Sequence, residues 1–181
     1  IYDCFMYFDE DLLLDLRLNT LDKYVSKFVI TEATYTHNGA KKKLKFDINN
    51  FKKFKDKIKY IVVNEQPPNI IEIKKNDNPG KKGEKLIFNG YARDNYQRNR
   101  LNDGIEEASE NDVVIISDLD EIPNLKKIDF NNIDNKLIFF KQKMFYYKLN
   151  LYYPGFEWFG SRACRKKNLI NPQWLRNIKS K

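Results

Sequence analysis

The segment Asp112–Ser117 (DVVIIS) limits the possible folds of this chain more than any other. Its four consecutive β-branched apolar residues are too few for a buried helix. They are also too uniformly apolar for a strand with one wet face. They read as a strand buried on both faces, which is the setting of a central strand in a parallel sheet. Parallel neighbours need crossover connections, usually helical, and the flanking sequence offers them. Ile1–Phe8 (IYDCFMYF), Lys27–Glu32 (KFVITE) and Lys59–Val63 (KYIVV) read as further strands, with Leu137–Gln142 and Met144–Leu151 as two more. Asp9 is positioned to cap a helix over Glu10–Leu21, whose apolar face would be Leu12, Leu13, Leu16 and Leu21. Arg17, inside that helix, reads as half of an exposed ion pair. Lys41–Lys59 reads as a solvated stretch holding a short helix, and Tyr91–Ser109 as a second long helix, weakened by Gly104. The alternation predicts one α/β domain with a mostly parallel central sheet. Residues 64–90, punctuated by Pro67, Pro68, Pro79, Gly80 and Gly83, read as a mobile loop and a candidate lid.

Ligands of such sheets bind beyond the carboxyl ends of the strands. That rule lines up Phe8–Glu10, Thr31–Ala33, Asn64–Gln66 and Asp118–Glu121 along one rim. Charge alone would suggest a different partner. The chain has 33 basic and 25 acidic residues, a net charge of +8, which fits a nucleic-acid surface. Only seven of the basic residues are arginines, the side chain that reads bases and phosphates through its fork. Lysine scattered beside abundant Asn and Ile also follows from A/T-rich coding. A partner other than nucleic acid is therefore expected. One histidine, His37, excludes a multi-histidine metal site, and it sits in a turn-prone THNG segment that reads as exposed. Two cysteines exclude a disulfide framework and suit a reducing compartment. Neither a signal peptide nor an apolar run of membrane-spanning length is visible, so a cytoplasmic location is expected.

The chemistry concentrates in Ser117-Asp118-Leu119-Asp120-Glu121-Ile122-Pro123. Three carboxylates within four positions repel one another, and burial aggravates the repulsion. A divalent cation relieves it. Hard oxygen donors without histidine suit Mg²⁺ or Mn²⁺, which would bridge a substrate diphosphate. In extended geometry Asp118 and Asp120 share a side. The bland alternative is an acidic loop that caps a following helix. Phosphatases of the haloacid-dehalogenase type also place Asp-x-Asp after a strand, but after their first strand; here the motif comes late.

Four segments in order carry a family resemblance: the opening IYDCFMYFDEDLLLDLRLNTLDKYVSKFVITEAT, then YARDNYQRNRL, DVVIISDLDEIP and WFGSR. Together they resemble glycosyltransferase family 17, the family of the β-1,4-mannosyl-glycoprotein β-1,4-N-acetylglucosaminyltransferase. The resemblance runs from Ile1 to about Arg176. It implies a GT-A (Rossmann-like) fold and a metal-dependent, inverting transfer of a sugar, GlcNAc in that family, from a UDP-sugar to a glycan acceptor. Family members continue into a Gly-Trp-His-Phe-Ser-type segment whose histidine completes the metal shell in many GT-A enzymes. Nothing like it occurs through Lys181, so a single catalytic domain over 1–181 lacking its C-terminal segment, or a divergent member, is expected.

Against that resemblance, Asp120 is expected to bind the metal and Asp118 the ribose or a metal-bound water. Glu121 reads as an orienting or acceptor-side group, or as a simple helix-start acid. Arg93, Gln97 and Arg98 lie on one helix. They suit a diphosphate, or would hold the acidic cluster in shape, or form a solvated face. Thr31 and Glu32, ending the second strand, are expected at base or ribose. Tyr7 and Phe8 either stack on the base or pack in the core. Trp158 offers a face to a sugar, Arg162 reaches a phosphate or the acceptor, and Glu157 is a candidate general base. The competing functions are a basic nucleic-acid-binding domain and a metal-dependent phosphohydrolase.

Overall fold

A computed structural model describes residues 1–130, 136–148 and 150–179. Its centre is a six-stranded sheet in the order β3-β2-β1-β4-β8-β5. The strands are β1 (Tyr2–Met6), β2 (Lys27–Ala33), β3 (Ile58–Val63), β4 (Val113–Ile116), β5 (Ile138–Phe139) and β8 (Arg162–Arg165). β1 lies between β2 and β4, parallel to both, and β3 runs parallel to β2. β8 turns antiparallel against β4 and β5. The expectation of a central, mostly parallel sheet is therefore met, and every residue of β4 is buried. A separate two-stranded antiparallel ribbon joins β6 (Gln142–Phe145) to β7 (Tyr152–Trp158). Met144–Leu151, expected as one strand, instead holds the end of β6 and the turn of the ribbon; residue 149 lies outside the described residues.

Side chains alternate along β1 and β4, so each strand feeds two cores. Phe5, Val113 and Ile115 pack on one face with Leu14, Leu18 and Leu21 of α1 (Asp11–Leu21). Tyr2, Cys4, Val114 and Ile116 pack on the other with Leu101, Ile105 and Leu175. Both cysteines are free and buried. Among the described residues, no helix is long and apolar enough to cross a membrane.

Two helices depart from the sequence expectation. The buried stripe of α1 is Leu14, Arg17, Leu18 and Leu21, whereas Leu12 is 84% exposed. The spacing i, i+3, i+4, i+7 was present, but it contained an arginine. Asp9 caps nothing; Glu10 stands at the N-cap without a side-chain cap bond and accepts from the backbone N–H groups of Phe8 and Asp9 instead. The second helix, α2 (Pro79–Asn99), begins within the segment expected as a loop. Asn78 caps it by accepting from Lys81 N at 2.9 Å, and Pro79 occupies the first turn, where its missing N–H costs nothing. Gly80 and Gly83, read as loop residues, are helical. The helix gives way at Arg100–Gly104 to a 3₁₀ turn. Gly104 is required there, since a Cβ on it would lie 2.1 Å from Val29 Cγ1 of β2.

Candidate active site

Ser117 follows β4 in the core, 1% exposed, and the chain then turns, with Glu121 N donating to Asp118 O at 3.1 Å. Asp118 and Asp120 are thus brought together by a turn and not by extended geometry. The turn is held from beneath by Arg17, which is fully buried. Its Nε and Nη2 grip both oxygens of buried Asp3 at 2.8 and 2.7 Å. Nη2 also reaches Ser117 Oγ at 2.5 Å, and Nη1 donates to the carbonyls of Asp118, Leu119 and Glu121 at 3.1, 3.0 and 3.1 Å. The fork of a guanidinium can serve a carboxylate and a run of carbonyls together; an ammonium cannot. The exposed ion pair expected for Arg17 is therefore replaced by a buried strut. The missed signal was its place on the leucine stripe of α1.

Above the turn two arginines neutralise the acids. Asp118 Oδ1 accepts from Arg98 Nη2 at 3.1 Å, and Oδ2 from Arg176 Nη2 at 2.6 Å. Arg176 also meets Glu121 Oε1 at 2.9 Å and Gly160 O at 2.5 Å. Burial works to raise the Asp118 pKa, but the Arg176 and Arg98 charges outweigh it and the net shift is downward. Glu121 shifts upward, through burial first and the Asp118 charge second. Arg176 projects from α3 (Pro172–Asn177), and nothing local in the sequence marked it. Gly160 permits this crowding, because a Cβ there would meet Glu121 Oε1 at 2.0 Å and Trp158 Nε1 at 2.3 Å.

The turn opens on a cavity of about 1100 Å³, lined by Tyr7, Phe8, Tyr35, Asp94, Gln97, Arg98, Asp118 and Asp120 among others. Asp120 is exposed on its wall, and no interaction among the described residues engages it. Tyr7 lines the cavity and also packs edge-on against Phe46 in the core, and its hydroxyl donates to Asp11 Oδ1 at 2.5 Å. Phe8 is 46% exposed, with Lys42 over its ring. His37 is exposed, as expected, but also lines the cavity, with Nε2 3.5 Å from Asp94 Oδ1. Asp94 in turn holds Arg98 at 2.9 Å. Two cavity-lining residues carry a buried polar atom without a partner, Tyr35 Oη and Arg98 Nε.

Other expected site residues serve the framework. Glu32 is completely buried and already accepts from Lys42 Nζ, Lys45 N, Phe46 N and Tyr60 Oη. It therefore has no lone pair to offer a base or ribose, contrary to expectation, and instead pins the 42–46 segment to β2. Thr31 is equally buried, and neither residue lines the cavity. Arg93 does not line the cavity; it donates to Gln66 Oε1 at 2.7 Å and His37 O at 2.9 Å. Gln97 lines the cavity while donating to Thr31 O at 3.0 Å. Arg162 is tied to the carbonyls of Ile178 and Gly160, both at 2.9 Å, so it reaches no open anion site. Trp158 Nε1 donates to Glu121 Oε1 at 2.7 Å. Glu157, its neighbour on β7, projects to the opposite side, where it is exposed and paired with Lys141. That alternation removes Glu157 as a base at this cavity.

Among the described residues no three His, Cys, Asp or Glu side chains converge as a cage for a metal ion. Both Asp118 oxygens are ion-paired, which leaves Asp120 as the available carboxylate. Such a donor set suits a hard cation that takes most of its ligands from water and substrate phosphates. It does not suit one enclosed by protein.

No curated protein and no solved structure matches the chain. The model of one protein family, described as Glycosyltransferase family 17, matches residues 1–168, and that span includes the central sheet, α1, α2, the acidic turn and Trp158. This chain belongs to glycosyltransferase family 17.

Proposed function

We propose that the protein transfers a sugar from a nucleotide-diphosphate donor to a glycan acceptor with inversion at the anomeric carbon, assisted by Mn²⁺ or Mg²⁺. The observation that carries this reading is the acidic turn at the carboxyl end of β4, which opens on a cavity and is held rigid by Arg17. The donor would lie in the cavity, where Tyr35 Oη and Arg98 Nε lack partners that a ligand can supply. UDP-GlcNAc is the donor suggested by the family. Asp120 would hold the cation together with the donor phosphates, and the cation would supply positive charge to the leaving group. In the transfer, an acceptor oxygen forms a bond to the anomeric carbon as the bond from that carbon to the diphosphate oxygen breaks. The electron pair leaves on the diphosphate, and the acceptor proton passes to a base. Arg98 stands at the cavity wall beside the developing charge. His37, exposed on the same wall beside Asp94, is the candidate to take the proton.

A nucleic-acid surface receives no support from the arginines. Arg17, Arg93, Arg98, Arg100, Arg162, Arg165 and Arg176 all make intramolecular bonds. The reading is tested by thermal-shift titration of UDP-, GDP- and CDP-sugars with and without Mn²⁺. One nucleotide class is expected to stabilise the protein in a Mn²⁺-dependent manner, and Asp120→Ala to remove the metal-dependent part. Stabilisation by oligonucleotides, with none by any nucleotide sugar, defeats it.

A further inference from the structure

The β6–β7 ribbon stands apart from the central sheet and exposes its rings. Among the described residues, seven large apolar side chains from Phe145 to Phe156 are exposed, including Tyr147 at 92%. Contiguous patches of this kind on soluble domains mark interaction sites. Three rings run in series. Tyr153 and Phe156 have centroids 6.2 Å apart with planes at 42°, and Phe156 and Trp158 are 6.2 Å apart at 25°. Stacked rings also occur in the core, Phe46 on Phe51 at 7° and on Tyr60 at 25°, but Tyr153 and Phe156 of the ribbon are 55% and 44% exposed. The ribbon rings thus tile a surface. Gly155, at φ +85, breaks the strand alternation between Tyr153 and Phe156.

The inner end of this series is fixed to the acidic turn by the Trp158 Nε1–Glu121 bond. From Glu121 the same turn leads back to Asp120 and Asp118 on the cavity wall. Tiled aromatic faces suit pyranose rings, whose C–H faces are apolar while their hydroxyls stay hydrated at the edges. We propose that Tyr153, Phe156 and Trp158 form a track for an extended, neutral glycan acceptor, delivering its end to the acidic turn. The proposal rests on the glycosyl-transfer reading above and adds the surface along which the acceptor would lie. Two of the ribbon's lysines are already engaged, Lys141 with Glu157 and Lys143 over the Tyr152 ring, which leaves Lys148 at the turn and little charge for an anionic membrane surface.

The test titrates linear β-1,4-linked gluco-, manno- and N-acetylglucosamine oligosaccharides, from mono- to hexasaccharide, against the full chain, followed by tryptophan fluorescence and calorimetry. At least one series is expected to bind, with affinity rising up to about the number of rings in the track. Tyr153→Ala and Phe156→Ala should each weaken that binding about three- to tenfold. Because both side chains are exposed, melting temperature and nucleotide-sugar binding should not change. Failure of every series, or binding indifferent to both variants, overturns the proposal. So does binding to phosphatidylglycerol–phosphatidylcholine vesicles, or self-association in sedimentation velocity, that both variants abolish while no oligosaccharide binds. Nucleotide-sugar stabilisation, measured in parallel, separates the two readings. If it persists while the track fails, transfer stands and the track does not. If oligosaccharides bind the track but no nucleotide binds, the track stands and transfer fails.

Discussion

Arg17→Met removes one partner of a pair whose side chains are both 0% exposed. It strips both oxygens of Asp3 of their donors and deprives the carbonyls of Asp118, Leu119 and Glu121 of Nη1. Methionine fills similar volume, so little of the effect comes from a cavity. A buried charge left without its partner costs about 3–5 kcal/mol. For a domain of this size each kcal/mol lowers the melting temperature by about 2–4 °C, so a fall of about 6–20 °C is expected. Urea denaturation followed by far-ultraviolet circular dichroism measures the free energy directly. Arg17→Lys keeps the charge but not the fork, and its loss should fall between wild type and Arg17→Met. Asp3→Leu with Arg17→Met removes the stranded carboxylate and should recover about 2 kcal/mol or more relative to additivity. A loss below about 1 kcal/mol for Arg17→Met, or strict additivity in the double variant, would falsify the strut.

Further expectations concern the glycines and the acids. Gly104→Ala drives a methyl into Val29 and should cost about 1–3 kcal/mol in the same denaturation assay; wild-type stability would show that the 3₁₀ turn can move away from β2. Gly160→Ala should displace Glu121 or Trp158 and change tryptophan emission in the folded protein, an effect absent if the loop yields freely. The Asp118 pKa is depressed in the fold, so its stabilising contribution is present above the ordinary carboxylate value and is lost as pH falls through the depressed one. Asp118→Asn should therefore lose less stability than wild type as pH falls from about 5 through the ordinary carboxylate value and below it. Glu121 acts in the opposite sense: its pKa is raised, so the fold regains stability as pH falls through that raised value. Asp118→Asn and wild-type melting curves that run parallel through this range would refute the ion-pair assignment.

The sheet was legible because a run such as VVII states its own burial, and alternation with helical segments then limits the topology. The acidic turn was legible for the same reason, since it adjoins the most secure strand. Long-range partners were not legible. Arg17 and Asp118 are 101 positions apart, and although the place of Arg17 on the leucine stripe hints at burial, nothing in LLLDLRLN names its distant partners. Arg176 belongs to a helix of six residues with no signature of its own. The start of α2 was obscured by Gly80 and Gly83, whose turn-forming composition outweighed the Asn78–Pro79 capping pair. Glu157 and Trp158 were read together because they are adjacent, whereas a strand sends neighbours to opposite faces.

The Arg17 strut also bears on the order in which the molecule becomes competent. Its two ends come from the first helix and from the turn after β4, so the closure it makes is long, and long closures form late and slowly. During synthesis the N-terminal strand and α1 emerge well before Asp118, and Arg17 then has only Asp3 to hold. The carbonyls of the acidic turn gain their common donor only after β4 has inserted beside β1. A chain arrested before that insertion would contain every N-terminal residue of the cavity and still lack a formed turn, so formation of the acidic turn is coupled to insertion of β4.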